Sequence, residues 1–320
     1  MDGNYGLIGL ALMTGLADNP AAPTITLGVK QFLNPMPTYT RTDEAIATGT
    51  KFGTQRVVQG EEMGEKTLVA RATMRDLPLL LTSCLGTPDG TGLITPREAD
   101  FAALAPGQPL AVWQKHPLRN MKWRGAQITS LTIDFQNRQT ADVTVGIMTS
   151  NGEKLETLPT FPAIASTGLV KFLNWYLKVD AKTYAPESGS IELRFPMQVE
   201  DGARGLDAAN RMSPIGVSAN GAMTARVAFT LSEVGAGVAT GSLATLLDLA
   251  TPDPATGEPV TKAVETGFEV GGETIKFNFP NAEIAADNIP NGLGRLMIGF
   301  SASGVGLGVP PVTATVPVTP

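Results

Sequence analysis

Nucleophilic hydrolysis needs a hydroxyl or thiol beside a base that takes its proton, and histidine is the usual base. The chain has one histidine, His116, followed by Pro117 in a stretch that reads as a loop. Its one cysteine, Cys84, stands among Leu81 and Leu85 and reads as a small buried hydrophobe. One Cys and one His are too few for a zinc site, and one Cys forms no intrachain disulfide. Glu61, Glu62 and Glu65 come nearest to the paired carboxylates of glycoside cleavage. They open a strand pattern without the aromatic platforms of a sugar site, which suits a solvated edge better. Asp201-Gly202 and Asp253 lack the ligand spacing of an EF-hand loop. Gly304, Gly306 and Gly308 alternate with no helix after them to cradle a phosphate. Trp113, Trp123 and Trp175 read as core or interface anchors. The expectation is a chain with no catalytic residue, no metal site and no cofactor.

Composition points the same way. The 320 residues are 42% hydrophobic and 17% charged, enough for a sizeable core and too apolar for charge-driven disorder. The 35 Gly and 24 Pro suit many short strands separated by turns. A net charge of −6 argues against wrapping nucleic acid by neutralising phosphates. The apolar patch from Leu7 to Leu16 has only Asp2 before it, so it lacks a basic leader, and it falls short of the roughly 20 residues of a membrane helix. It is expected to be an arm, residues 1–23, that packs on a neighbouring subunit.

Alternation of period two marks half-buried strands. Leu68, Ala70, Ala72 and Met74 share one face, with Glu65, Thr67, Arg71 and Thr73 on the other. Thr129, Leu131, Ile133 and Phe135 form another such face, followed across Asn137-Arg138-Gln139 by Ala141, Val143, Val145 and Ile147. Later come Ile191, Leu193 and Phe195, then Met223 to Leu231, then Ile275, Phe277 and Phe279. Two helices interrupt: Asp76 to Leu85, with Asp76 as cap, Pro78 in the first turn and Gly86 at the end, and Ser242 to Leu249, capped by Ser242. The fold class expected is mainly β, an antiparallel sandwich or barrel with a short flanking helix.

The two halves read alike. Phe32-Leu33-Asn34 returns as Phe172-Leu173-Asn174, and the strand after Gly64 returns after Gly221, each time followed by a helix and then Thr-Pro-Asp, at Thr87 and Thr251. Met121-Lys122-Trp123 is matched by Ile275-Lys276-Phe277, and Asn137 by Asn291. The order of these matches suggests an internal duplication, with β domains over 24–158 and 159–304 and an extended tail over 305–320.

The run Gln59-Gly60-Glu61-Glu62-Met63-Gly64-Glu65-Lys66-Thr67-Leu68, then Leu79-Leu80-Leu81 and Leu85-Gly86, resembles the strand-then-helix core of the major tail tube proteins of long-tailed bacteriophages. Trp123-Arg124-Gly125-Ala126-Gln127-Ile128-Thr129-Ser130-Leu131-Thr132-Ile133 is similar to that family's G-x-x-I-x-S-L-x-I strand before a hairpin. The resemblance rests on pattern and order across roughly residues 25–303.

The resemblance implies a structural virion protein, assembled in the host cytoplasm, whose rings stack into the conduit for DNA ejection. Its partners would be copies of itself, the tape measure protein, and tail-tip and terminator proteins, with double-stranded DNA passing without specific binding and no membrane contact. Duplicated chains would make trimeric rings, single units hexameric ones. Thr40, Asp43, Glu44, Lys51, Arg56 and Gln59 fall in a Gly- and Thr-rich stretch expected to be a loop to the next ring, with its counterpart between Lys182 and Pro214. Thr67, Val69, Arg71, Thr73, Thr224, Arg226, Ala228 and Thr230 are expected on inner strands, and an acidic lumen would keep DNA from sticking. The rival readings are a monomeric adhesin or carbohydrate-binding sandwich, and a hydrolase using the glutamates. Either way the strand faces stand: Phe229→Asp would bury an unpaired charge in place of a side chain whose burial is worth about 1.5–3 kcal/mol, so the variant is expected to fail to fold by circular dichroism.

Overall fold

The structure, a computed structural model, describes residues 6–15, 18–31, 39–45, 55–96, 107–117, 119–136, 139–150, 152–195, 197–199, 204–206, 212–214, 217–219, 223–232, 241–286, 297–306 and 309–318. The alternating segments become strands. The first half contains β1 (Leu7–Leu12), β2 (Ile25–Leu27), β3 (Val29–Gln31), β4 (Tyr39–Ala45), β5 (Gln55–Arg71), helix α1 (Leu77–Leu85), β6 (Leu93–Ile94), β7 (Leu110–Lys115), β8 (Met121–Gln136), β9 (Asp142–Ser150) and β10 (Gly152–Lys154). After a 3₁₀ turn at Phe172–Asn174 come β11 (Trp175–Val179), β12 (Lys182–Tyr184), β13 (Ser188–Arg194), β14 (Met197–Val199), β15 (Arg204–Leu206), β16 (Met212–Pro214), β17 (Val217–Ala219) and β18 (Thr224–Ser232). The chain ends with α2 (Leu243–Ala250), β19 (Thr261–Val270), β20 (Glu273–Ala286), β21 (Met297–Gly304) and β22 (Thr313–Thr315).

Eight of these strands form one antiparallel run in the order β3–β5–β9–β8–β13–β18–β21–β20. Behind it lie two smaller layers, β2–β1–β7–β8–β10 and β12–β11–β19–β20–β22–β6. The long strands β8 and β20 serve both a front and a back layer, so each must bend midway. In β8 the steps from Trp123 to Ala126 bulge against Val112 and Leu110, beside Gly125 at a φ of 69° that a side chain would strain. In β20, Phe279 to Ala282 bulge against Val264 and Lys262, and Pro280 sits in the bulge, where a missing N–H costs no ladder bond.

The pairings of the two halves run in one order: β3–β5–β9–β8–β7–β1–β2 in the first and β13–β18–β21–β20–β19–β11–β12 in the second. Helix α1 packs on β8 and α2 on β20. The sequence match of Phe172-Leu173-Asn174 to Phe32-Leu33-Asn34 does not follow this correspondence. Phe172 leads into β11, which stands in the place of β1, whereas Phe32 follows β3; residues 32–34 and Asn291 lie outside the described residues.

Of the apolar patch expected to reach a neighbouring subunit, Leu7–Leu12 form β1 of the chain's own back layer, with Ile8 opposite both Leu27 and Gln114 and fully buried, and Leu16 lies outside the described residues. Within the expected extended tail, β22 lies between β20 and β6, with Val312, Ala314 and Val316 buried.

The helix ends obey capping chemistry only in part. Ser242 caps α2, its hydroxyl accepting from the Thr245 amide at 3.2 Å. Asp76 begins α1 without capping it: its carboxylate accepts from Arg75 Nε at 3.0 Å, and its amide donates to the Thr73 hydroxyl at 3.1 Å. That bond turns Thr73 inward, so it is buried rather than on the open face with Thr67 and Arg71.

The halves share one core. Phe135 of β8 stacks on Trp175 of β11 with centroids 4.8 Å apart, and Trp175 Nε1 donates to Thr266 Oγ1 at 2.8 Å. The connecting segment is pinned to the first half, where Thr26 Oγ1 donates to the Pro162 carbonyl at 2.7 Å and Arg75 Nη1 to that of Ala163 at 3.0 Å. Phe135→Ala opens a cavity in this shared core and is expected to cost about 3–5 kcal/mol in urea denaturation. A loss under roughly 1 kcal/mol would contradict the shared packing.

Candidate assembly surfaces

One apolar row crosses all eight front strands: Val29, Ala70, Val143, Ile133, Ile191, Val227, Ala302 and Ile284 are neighbours in register. The row divides into two similar sets of four, joined at Ile133 and Ile191. Its interior members are buried against the back layers, while Val29, at one end, is half-buried. Among the described residues the outer edge of β3 has no strand on it, and β19 covers β20 only as far as Glu283, leaving Ile284–Ala286 open on that side. Ala285 and Ala286 are exposed, as are Lys30 and Gln31. Unpaired backbone at both ends of a sheet is a template for another chain.

Among the described residues no back layer covers the face opposite this core. Its rows read Arg71, Asp142, Asp134, Ser190, Ala228, Ser301 and Ala285, then Val69, Thr144, Thr132, Glu192, Arg226, Ser303 and Glu283. Of the residues expected on inner strands, Thr67, Val69, Arg71, Thr224, Arg226, Ala228 and Thr230 all lie here. A shallow groove of about 270 Å³ runs along it past Asp134, Ser190, Arg226 and Thr230. Charges of both signs lie on this face: Asp134, Asp142, Glu192 and Glu283 with Lys30, Arg71, Arg194 and Arg226.

Its acids are unevenly placed. Asp134 and Asp142 sit directly opposite each other, Glu192 is on the next row, and Lys30 Nζ bonds Asp142 Oδ2 at 2.6 Å. Burial, then Glu192 and Asp142, push the Asp134 carboxyl above its ordinary pKa. Sequence reading missed this pair, because cross-strand register is not written in either strand alone.

Within the stretch expected to be an inter-ring loop, β4 and β5 pair antiparallel. Thr40, Asp43 and Glu44 belong to β4, Arg56 and Gln59 to β5, with Asp43 opposite Val57 and Glu44 opposite Arg56, and Lys51 lies outside the described residues. The pairing order sets its counterpart between β13 and β18, where β14 pairs with β17 and β15 with β16. That span, Met197–Ala219, lies partly within and partly beyond the expected Lys182–Pro214.

The residues weighed for chemistry are scattered. His116 is in the β7–β8 turn, its carbonyl accepting from the Arg119 amide at 3.2 Å. Cys84 is buried in α1, and burial holds its thiol well above the usual range, so it stays protonated. Glu61, Glu62 and Glu65 lie along β5, within its pairings to β4 and β9. Asp253 organises a turn by accepting from the Ala255 amide at 2.8 Å, and Asp201 is outside the described residues. Trp113, Trp123 and Trp175 are core residues, Lys122 Nζ lying 4.8 Å from the Trp113 ring centre. No group of three or more His, Cys, Asp or Glu among the described residues is arranged to hold a metal ion. The sequence matches no protein-family model and no curated protein.

The Asp134 carboxyl has its pKa raised in the folded state, so the native protein holds that proton to higher pH than the unfolded chain does, and stability falls as pH rises through the window. Asp134→Asn is expected to melt above the wild type, with the gap widening from about pH 4 towards pH 7 and reaching roughly 0.2–1 kcal/mol, the range for one cross-strand pair. A gap that is constant with pH would contradict the like-charge account.

Proposed function

We propose that this chain is a tube subunit of the kind its resemblance implies, the tail tube protein of a long-tailed bacteriophage. The observation that carries the reading is the eight-residue row from Val29 to Ile284, which among the described residues has no strand paired on either outer side. A monomeric adhesin needs such edges blocked, by short twisted ends or a covering loop, because they otherwise recruit other chains. A ring uses them. The β20 edge of one copy pairs with the β3 edge of the next, head to tail, and rotation closes the ring.

The chain's internal junction is the pattern for this contact. Ile133 and Ile191 are partners in register where β8 meets β13, and β13 and β3 hold the same place in their pairing orders. By that correspondence Ile284 of one copy lies opposite Val29 of the next. The two similar sets of strands are read as a duplicated unit, with three chains to a ring. The uncovered face of the front sheet becomes the lumen. Its serines, threonines and charges of both signs give double-stranded DNA no net positive field to bind, so the filament slides past. The β4–β5 hairpin and the Met197–Ala219 span are the candidates for stacking contacts, with tape measure, terminator and tail-tip proteins as the further partners.

The purified protein is expected to form closed rings or tubes in negative-stain micrographs. Val29→Pro removes an edge N–H, and with it one donor for the next copy. It is expected to leave a folded protein that no longer assembles. A wild-type chain that stays monomeric at high concentration would overturn the tube reading in favour of an adhesin.

A further inference from the structure

The ladder bonds on the inner sides of the two end strands say which backbone groups face outwards. The Arg71 amide bonds the Gly28 carbonyl at 3.1 Å, and the Val305 amide bonds the Asn281 carbonyl at 2.8 Å. Alternation along each strand therefore turns the amides of Val29, Ile284 and Ala286 away from their own sheet. At the in-chain junction the Phe195 amide bonds the Thr129 carbonyl at 2.8 Å, and the same alternation makes Ile133 and Ile191 a hydrogen-bonded pair. Val29 and Ile284 offer the same groups at the corresponding places, so the contact between copies repeats that pair.

The next position along carries opposite charges. Lys30 follows Val29 and Glu283 precedes Ile284, and antiparallel pairing sets these two residues side by side. Both side chains lie on the uncovered face. Lys30 is placed there by its 2.6 Å bond to Asp142 Oδ2, and its side chain is still 45% exposed. The register of β3 against β5 shifts between Val29 and Gln31, so Lys30 is the extra residue and has no ladder partner on β5. Glu283 is placed on this face by its register with Ser303, which pairs with Arg226. It is exposed and makes no ion pair among the described residues. Its backbone is already paired to Thr261 and Ser303, so only its side chain is available to a neighbour.

We infer that Lys30 of one copy and Glu283 of the adjacent copy form an ion pair across the seam, and that this pair selects the head-to-tail contact over a two-fold one. The inference rests on the ring reading. Lys30 then stands between two carboxylates, Asp142 of its own chain and Glu283 of the neighbour. A two-fold pairing of β3 with β3, centred on the strand, would instead set Lys30 against Lys30, a like-charge pair that opposes it. The in-chain junction joins strands that are already tethered, and there the corresponding position holds Thr132 opposite Glu192. Opposite charges thus occupy this position only where separate molecules must choose the right edge.

Lys30→Cys with Glu283→Cys tests the proximity. Positions between hydrogen-bonded pairs bring Cα atoms to about 4.5 Å, within the range of a disulfide. The native Cys84 is buried and does not compete. Under mild oxidation the assembled double variant is expected to give covalent species larger than a dimer on a non-reducing gel, with neither single variant exceeding a dimer. Glu283→Lys tests the charge, since it sets lysine against lysine. It is expected to stay folded by circular dichroism and to raise severalfold the protein concentration at which rings or tubes appear. Added salt is expected to raise that concentration more for the wild type than for Glu283→Gln. Rings or tubes whose double-cysteine variant gives no such multimers, or a Glu283→Lys variant that assembles as readily as the wild type, would overturn the ion pair and leave the tube reading intact. Failure of the wild type to form any ring or tube would overturn both.

Discussion

Backbone amides and carbonyls along a strand edge are strong hydrogen-bonding groups, and a protein that leaves a row of them open must block the edge or use it. Here, among the described residues, no strand pairs with the outer side of β3 or of Ile284–Ala286, and the side chains flanking these edges continue a buried apolar row. Apolar side chains and unpaired backbone coincide at the same places, so one contact satisfies both. The middle of the same sheet holds a finished example, because β8 and β13 meet as any two neighbouring strands do, although one belongs to each half.

The bends in β8 and β20 make that arrangement possible. A straight strand would belong to one layer, and the front sheet would have no back layer tied to it. The bulges at Gly125 and Pro280 let one strand leave the front sheet and enter the back layer, with α1 and α2 packed against the bent strands. The back layers bury the apolar side of the row, which leaves the opposite side to solvent. Polar residues of small volume therefore line the uncovered face, and its charges stand in cross-strand pairs of both signs.

Much of the fold was legible because alternation reports burial directly. Leu68 with Ala70, Ile133 with Phe135, Val227 with Phe229 and Ile275 with Phe277 all face the core as their spacing required. What failed was non-local. The patch from Leu7 to Leu12 is a short apolar run whose partner, β7, lies about a hundred residues away by sequence, and no local pattern distinguishes an inner strand from an exported arm. Thr73 alternates correctly, yet a hydrogen bond to the Asp76 amide draws it inward. Glycines and threonines around Thr40 suggested a loop where β4 and β5 pair as a hairpin. The Phe-Leu-Asn match falls at different points of the two pairing orders, after β3 in one half and before β11 in the other. The open edges were the least legible feature, since an unpaired strand and a paired one have the same sequence signature. The Asp134–Asp142 pair was hidden for the related reason that register belongs to two strands at once.

The measurement that bears most directly on this account is amide hydrogen exchange at Val29, Ile284 and Ala286, whose amides the alternation of ladder bonds turns away from β5 and β21, compared between dilute protein and assembled material. These amides are expected to exchange quickly when dilute and to become protected together on assembly, while the already paired amides of β13 change little. Edge amides that exchange equally fast in both states would mean that β3 and β20 are not where copies of this chain meet.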